Sequence, residues 1–360
     1  MRKRLTLLAA LILALAIGVA TLIGCSPTAA EAPPPQPADT APEPEAAAEP
    51  EPEPEPEPVY TAWLPFNGQG VEEDDPRLNL RPLSVKIENT NESRPSSGLT
   101  YADVVYETIT EGGITRFNTI FNSRIPDELG SVRSGRNSDV SIVPQYNGLF
   151  VFSGANRYVL QQFAMALPCW ISEGNAGSSF YRVSHKSAPH NLYFNPKAGY
   201  ERFEELGNDI RTENPVSLKF GENDMESPGW SAASEMFVPF SAPEFDVTWK
   251  YSIKEKAYFR YINGVAQVDE SDRTKQVRAE NVVVIQGIYA SNGDGETLAL
   301  NLNGEGDAML FQNGKYIKVT WYTDGSRPPA FKDSGGNPIL LKPGQTWFAV
   351  PGDLAAVEVK

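Results

Sequence analysis

Residues 101–139 read YADVVYETITEGGITRFNTIFNSRIPDELGSVRSGRNSD, and the fold of the first half of the chain turns on them. Val104, Tyr106 and Thr108 alternate with Val105, Glu107 and Ile109, and after Gly112-Gly113 the run Ile114 to Asn122 is again rich in β-branched and aromatic residues. Two such runs broken by a glycine pair predict antiparallel strands joined by a tight turn. Glu107, Glu111 and Arg116 are expected near that turn. A loop with Pro126 and Gly130 follows, and then Arg133, Ser134, Arg136 and Asp139, with Ser134 or Asn137 as the cap of a helix running toward Pro144. Arginines beside a helix start predict an anion site, because forked guanidinium groups match carboxylate and phosphate oxygens.

Upstream, Leu83 to Glu88 alternates as a strand, Val85 and Ile87 on one face and Lys86 and Glu88 on the other. Downstream, Leu149 to Phe152 is a short apolar strand, Tyr158 to Met165 fits a helix that Pro168 stops, and Tyr200 to Leu206 fits another. Alternating strands and helices predict an α+β or α/β N-terminal domain over 59–230. Residues 237–360 follow a different pattern, of short strand-like runs such as Val247 to Ser252, Ala257 to Ile262, Tyr316 to Trp321 and Thr346 to Val350. Asn263-Gly264 and Asn313-Gly314 separate such runs as hairpin turns, so this domain reads as mostly antiparallel β.

The formal net charge of −15 is unevenly spread. Residues 1–25 carry three bases and no acid, 26–58 carry nine acids and no base, and 59–360 hold 37 acids against 28 bases. No basic stripe is present to neutralise a phosphate backbone, so nucleic acid is not an expected partner. Arg2-Lys3-Arg4 before the apolar run Leu5 to Ala20 has the form of a secretory signal, and it ends in Leu22-Ile23-Gly24-Cys25, similar to a bacterial lipobox. This predicts a lipoprotein signal peptide over 1–24 and a lipid on Cys25, with an uncleaved membrane anchor as the alternative. Either way the rest of the chain is expected outside the cytoplasm, tethered to the membrane. Residues 25–58, almost wholly Pro, Glu, Ala, Ser and Thr after the cysteine, predict a disordered, extended linker. At ~3.1 Å per residue such a linker reaches on the order of 100 Å.

Cys169 is then the single remaining thiol, and its apolar surroundings Leu167-Pro168-Cys169-Trp170-Ile171 read as a small buried hydrophobe rather than a nucleophile. Only His185 and His190 are available beside it, so neither a metal nor any other cofactor is expected.

The runs PLSVKIEN, RPSSGLTYADVVYE, EGGITRF, GSVRSGR, APHNLY, FQNGKYIKVTW and LKPGQTWF resemble, in the same order, the YerB family of bacterial lipoproteins. The resemblance spans residue 80 to the end of the chain and implies a pair of domains, N- and C-terminal, both of unknown function. The arginine loop departs from the family's usual GPVRSARP, with Ser131, Gly135 and Asn137 in place of Pro, Ala and Pro. Losing two prolines predicts a looser loop. The resemblance implies no reaction, and it points to His190 over His185 because the family motif contains His190-Asn191.

If Arg94, Arg116, Arg133 and Arg136 converge, they form a cationic pocket, with Glu107, Glu111, Asp139, His190 and Asn191 as its expected neighbours. In one reading Asp103 and these acids brace the arginines; in the other, one acid stands near His190 as a general base. The leading functional reading is a tethered extracytoplasmic lipoprotein that binds an anionic envelope ligand, a wall polymer or a peptide. The alternatives are a scaffold for wall-synthesis proteins, or an envelope hydrolase or transferase using paired carboxylates and His190. No G-x-S-x-G, zinc-ligand pair or nucleophile-histidine motif favours the enzyme.

Overall fold

A computed structural model describes residues 60–360. The signal peptide, Cys25 and the linker expected over 1–58 lie outside the described residues. The central hairpin forms as its sequence requires. Strands Val104–Ile109 and Thr115–Phe121 pair antiparallel, Val104 opposite Ile120 and Ile109 opposite Thr115. Between them Gly112 and Gly113 take φ of 70° and 76°, a conformation that a Cβ disfavours. Leu83–Glu88 pairs antiparallel with Thr115–Phe121, and Leu149–Val151 and then Trp170–Ile171 continue the sheet in parallel with Leu83–Glu88.

On the other side of the hairpin, the sheet takes its next strands from the far end of the chain. Thr346–Val350 lies parallel to Val104–Ile109, and Asn281–Ile285 lies parallel to Thr346–Val350. The antiparallel strands Gly304–Gln312 and Lys315–Thr323 follow. One 12-stranded sheet therefore runs through both halves of the sequence, and the described residues 60–360 belong to one compact unit. The fold class expected from sequence holds, with a mixed α and β first half and a second half built mainly of antiparallel sheet. Asn263-Gly264 and Asn313-Gly314 have positive φ at both positions, the backbone of a two-residue hairpin turn.

The two faces of the large sheet are buried differently. One face, carrying Val85, Val105 and Phe117, packs on a six-stranded sheet that includes Glu235–Val238, Val247–Ser252 and Ala257–Ile262. There Trp347 meets Trp249 and Phe117 edge-on, at ring centroid separations of 5.3 and 5.2 Å. The other face, carrying Val104, Tyr106 and Ile120, packs on the helix Asp139–Gln145 through Ile142. Neither expected cap starts that helix. Asn137 instead donates to Gln162 and accepts the Leu300 N–H, while Asp139 itself takes the Arg136 N–H at 2.7 Å. The helix Arg157–Ala166 is capped by Asn156, which accepts the Val159 N–H, and Pro196–Glu205 is capped by Asn195 in the same way.

Candidate functional site

Pleating decides which of the expected site residues share a face. Arg116 stands opposite Glu88 on one neighbouring strand and Thr108 on the other, whereas Glu107 stands opposite Phe117. Side chains alternate along a strand, so Arg116, Glu88 and Lys86 face one way and Glu107 the other. Glu107 accordingly does not join the arginines near the turn. It is fully buried against Arg260, whose Nη2 donates to both carboxylate oxygens at 2.7 and 2.8 Å. Arg94 is likewise held away. Its Nε donates to Asn89, its Nη groups to Asn91 and the Glu244 carbonyl, and its guanidinium lies 5.2 Å over Phe245. Burial pushes Arg94 down to about 10, and the Arg260 charge adds to the effect.

The other three arginines do come together. The loop that carries them is held by backbone hydrogen bonds on three sides: Glu88 N–H to Ser131, Arg133 N–H to Lys86, Val132 N–H to Leu192, Ser153 N–H to Arg133 and Gly135 N–H to Gly154. In place of the missing prolines, these backbone bonds constrain the loop. Gly135 also has a packing reason: a Cβ there would lie 2.7 Å from the buried Phe163 ring.

Beneath this loop lies a buried polar layer. The Lys86 ammonium, fully buried, donates to Asp139 Oδ1 at 2.8 Å, and Asn118 Nδ2 donates to the same oxygen at 2.9 Å. Burial lowers the Lys86 pKa, and the charge of Asp139 opposes that shift. Arg116, 7% exposed, donates from Nη1 to the Ser134 carbonyl, while its Nε is buried with no partner. Its pKa falls to about 9, first through burial and then through the charges of Arg136 and Arg133. It is cationic at neutral pH. Arg136 pairs with Glu111 at 2.7 Å, and Arg133 Nε donates to Glu88 at 3.2 Å.

Of these, Glu111, Arg133 and Arg136 line a cleft of about 560 Å³, whose walls also include Glu173 and Glu296, while Lys86, Asp139 and Arg116 are not among its lining residues. It opens where Val104–Ile109, Leu149–Val151 and Trp170–Ile171 end, at the carboxyl edge of the parallel strands. That is the usual ligand position in open sheets of this kind. The hairpin of Tyr289–Ser291 and Leu298–Leu300 forms the far wall, tied down by Asn292 to Gln162 and by the Leu298 N–H to Glu111. Asp294 is held well below the usual carboxylate range by the Thr297 hydroxyl and accepts from Asn156 as well.

Glu88, which the sequence reading left as an ordinary strand residue, joins this cleft to His190. Its Oε1 takes Arg133, and its Oε2 lies 3.0 Å from His190 Nδ1. The His190 backbone is fixed by its N–H to Ser187 and by a Ser131 hydroxyl on its carbonyl. Asn191 braces the same segment, donating to the Val183 carbonyl and accepting from Arg182. Only the pairing of Glu88 with Arg116 across two strands signals its role, and that pairing is visible once register is known.

A larger cleft, about 820 Å³, opens at the amino ends of Val104–Ile109, Thr346–Val350 and Asn281–Ile285. Most of its charged groups are engaged. Arg124 lies 5.4 Å and Lys275 5.3 Å over the Tyr101 ring, Arg278 pairs with Glu255, and Asp103 accepts from the Asn122 and Ser123 N–H groups. In the smaller cleft both Nη groups of Arg133 are left over as donors. Among the described residues no three His, Cys, Asp or Glu side chains come together as metal ligands. Cys169 is buried, and burial raises its thiol pKa.

Comparison with known families gives two matches in order, "Protein of unknown function (DUF3048) N-terminal domain" over 69–210 and the corresponding C-terminal domain over 236–348. The chain belongs to this family. Both DUF3048 domains line the cleft, since Glu111, Arg133, Arg136 and Glu173 fall in the first match and Glu296 in the second. A Bacillus subtilis (strain 168) protein named "Putative lipoprotein YerB" is 28% identical over 292 residues, covering 81% of this chain and 87% of that protein. The crystal structure of YerB protein from Bacillus subtilis matches with a TM-score of 0.74 at 27% identity, covering 83% of this chain and all of that one. The relative's name agrees with the lipoprotein reading of the N-terminus.

Proposed function

We propose that this protein is an extracytoplasmic lipoprotein, tethered to the membrane by a lipid on Cys25, that holds an anionic cell-envelope ligand in the cleft of Arg133 and Arg136. The observation that carries the reading is the state of Arg133, which lines the cleft, with the buried Arg116 behind it. Arg133 spends only Nε on Glu88, so both of its Nη groups are without a partner among the described residues. Arg116 makes no ion pair among them and keeps an unpartnered Nε. Guanidinium donors in this state favour an anion over water, each charge-assisted bond contributing about 1.5–3 kcal/mol. The named YerB relative supports the anchor, and the linker's expected reach suits a ligand away from the bilayer.

The test is retention of the full chain on isolated anionic wall polymer and on peptide fragments of the wall. Arg133→Gln with Arg136→Gln is expected to lower retention at least tenfold, in line with the loss of one or two such bonds. Unchanged retention would leave the protein as a scaffold. Replacing Cys25 by Ser is expected to move the protein out of the membrane fraction.

A further inference from the structure

We infer that the ligand of this cleft carries both signs of charge: a carboxylate for the free Nη groups of Arg133, and an ammonium for Glu296, as in an amino acid or a peptide with a free amine. The inference rests on the binding reading above and narrows it.

The argument comes from which charges in the cleft are already spent. Among its acids, Glu111 is paired with Arg136 and also accepts the Leu298 N–H. Glu173 is paired with Arg182 at 2.6 Å. Glu296 has only a 3.5 Å contact from the Asn156 amide, and no cation among the described residues pairs with it. Among the cations, Arg136 and Arg133 are paired through Nε with Glu111 and Glu88, but Arg133 keeps two free Nη groups, and the buried Arg116 lies behind the lining with its Nη1 on the Ser134 carbonyl. One unpaired acid, Glu296, and the two free Nη groups of Arg133 thus line the same cleft without pairing with each other. A purely anionic polymer would satisfy the arginines and be repelled by Glu296. A ligand with both charges would satisfy both. The rigid mounting of the two walls supports this: Arg133 is fixed by its backbone bonds to Lys86 and Ser153, and Glu296 sits in a turn held by Asp294. Glu296 and Arg133 make no ion pair with each other among the described residues, so both stay available to a ligand.

Calorimetric titration of the full chain separates the possibilities, with inorganic phosphate, alanyl-alanine, its N-acetyl derivative and its C-terminal amide as probes. Free dipeptide is expected to bind at least tenfold tighter than either blocked form. Glu296→Gln is expected to bring free dipeptide down to the level of the N-acetyl form while leaving the N-acetyl form unchanged. Arg133→Gln is expected to remove binding of both, with circular dichroism confirming the fold. If phosphate or the N-acetyl form binds as tightly as free dipeptide, the two-sign inference falls and the anion reading stands. If none of the four binds, both fall.

Discussion

Replacing Glu107 by Ala tests whether this residue is a brace or part of a ligand site, and the structure sets the size of the effect. Its Oε1 accepts from Asn89 at 3.2 Å, Thr115 at 3.0 Å and Arg260 at 2.7 Å, and its Oε2 accepts from Arg260 at 2.8 Å and the Trp347 indole at 3.3 Å. Both Glu107 and Arg260 are 0% exposed. Removing the carboxylate strands a guanidinium in the core, with Gln267 and the faces of Trp347, Phe117 and Trp249 as its remaining neighbours. Breaking one side of a buried pair costs about 3–5 kcal/mol. Against a total stability of about 5–15 kcal/mol, that is a fifth or more of the whole. In urea unfolding of the full chain the midpoint should fall by about 1 to 2 M. Glu107→Leu with Arg260→Met should recover most of the loss, because the stranded charge is gone and only the small donors remain unpaired. A single variant that shifts the midpoint by less than about 0.3 M, or a double variant no better than the single one, would refute the brace.

Other outcomes follow from the same packing. Residues 59–230 expressed alone should fail to give a dispersed amide spectrum, since Val104–Ile109 loses its parallel partner Thr346–Val350 and Glu107 loses Arg260. Gly135→Ala should destabilise by about 1–3 kcal/mol through the Phe163 ring, and Phe163→Leu should relieve part of that cost in a calorimetric melt. Lys86→Met should cost about 3–5 kcal/mol by leaving the buried Asp139 carboxylate with amide donors only, and Asp139→Asn should be better tolerated in the Met background than alone.

Local periodicity made much of the fold legible, and register made the rest illegible. The hairpin at Val104–Phe121 and the turns at Asn263 and Asn313 are written in adjacent residues, so alternation and glycine placement suffice for them. The junction of the two halves is not. Thr346–Val350 joins Val104–Ile109 in parallel across some 240 residues of sequence, and a parallel pairing needs no turn to announce it. The site suffered from the same gap. Of the residues expected together, Arg133, Arg136 and Glu111 line one cleft, because loop and hairpin are close in sequence, while Arg116 and Asp139 are buried and bonded to the same loop without being among the lining residues. Glu107 and Arg94 were expected with them, and the pleat and the 89–98 loop send them to the opposite face. Glu88 and Glu296 escaped notice because their neighbours come from far away: His190 about a hundred residues on for the first, and the arginine loop for the second.

That distance has a consequence for how the cleft works. Its arginines sit in the first family domain and its uncompensated acid in the second, and the two domains share one sheet. Any change that lets the halves separate, such as loss of the Glu107–Arg260 pair, should weaken peptide binding even though neither residue touches the cleft. Glu107→Ala titrated with alanyl-alanine well below its unfolding midpoint checks this. Weaker binding of free dipeptide with unchanged binding of the N-acetyl form would place the loss at Glu296, on the second domain. Equal weakening of both would place it at the arginines instead, and unaltered binding of both would show that the sheet alone holds the walls in register.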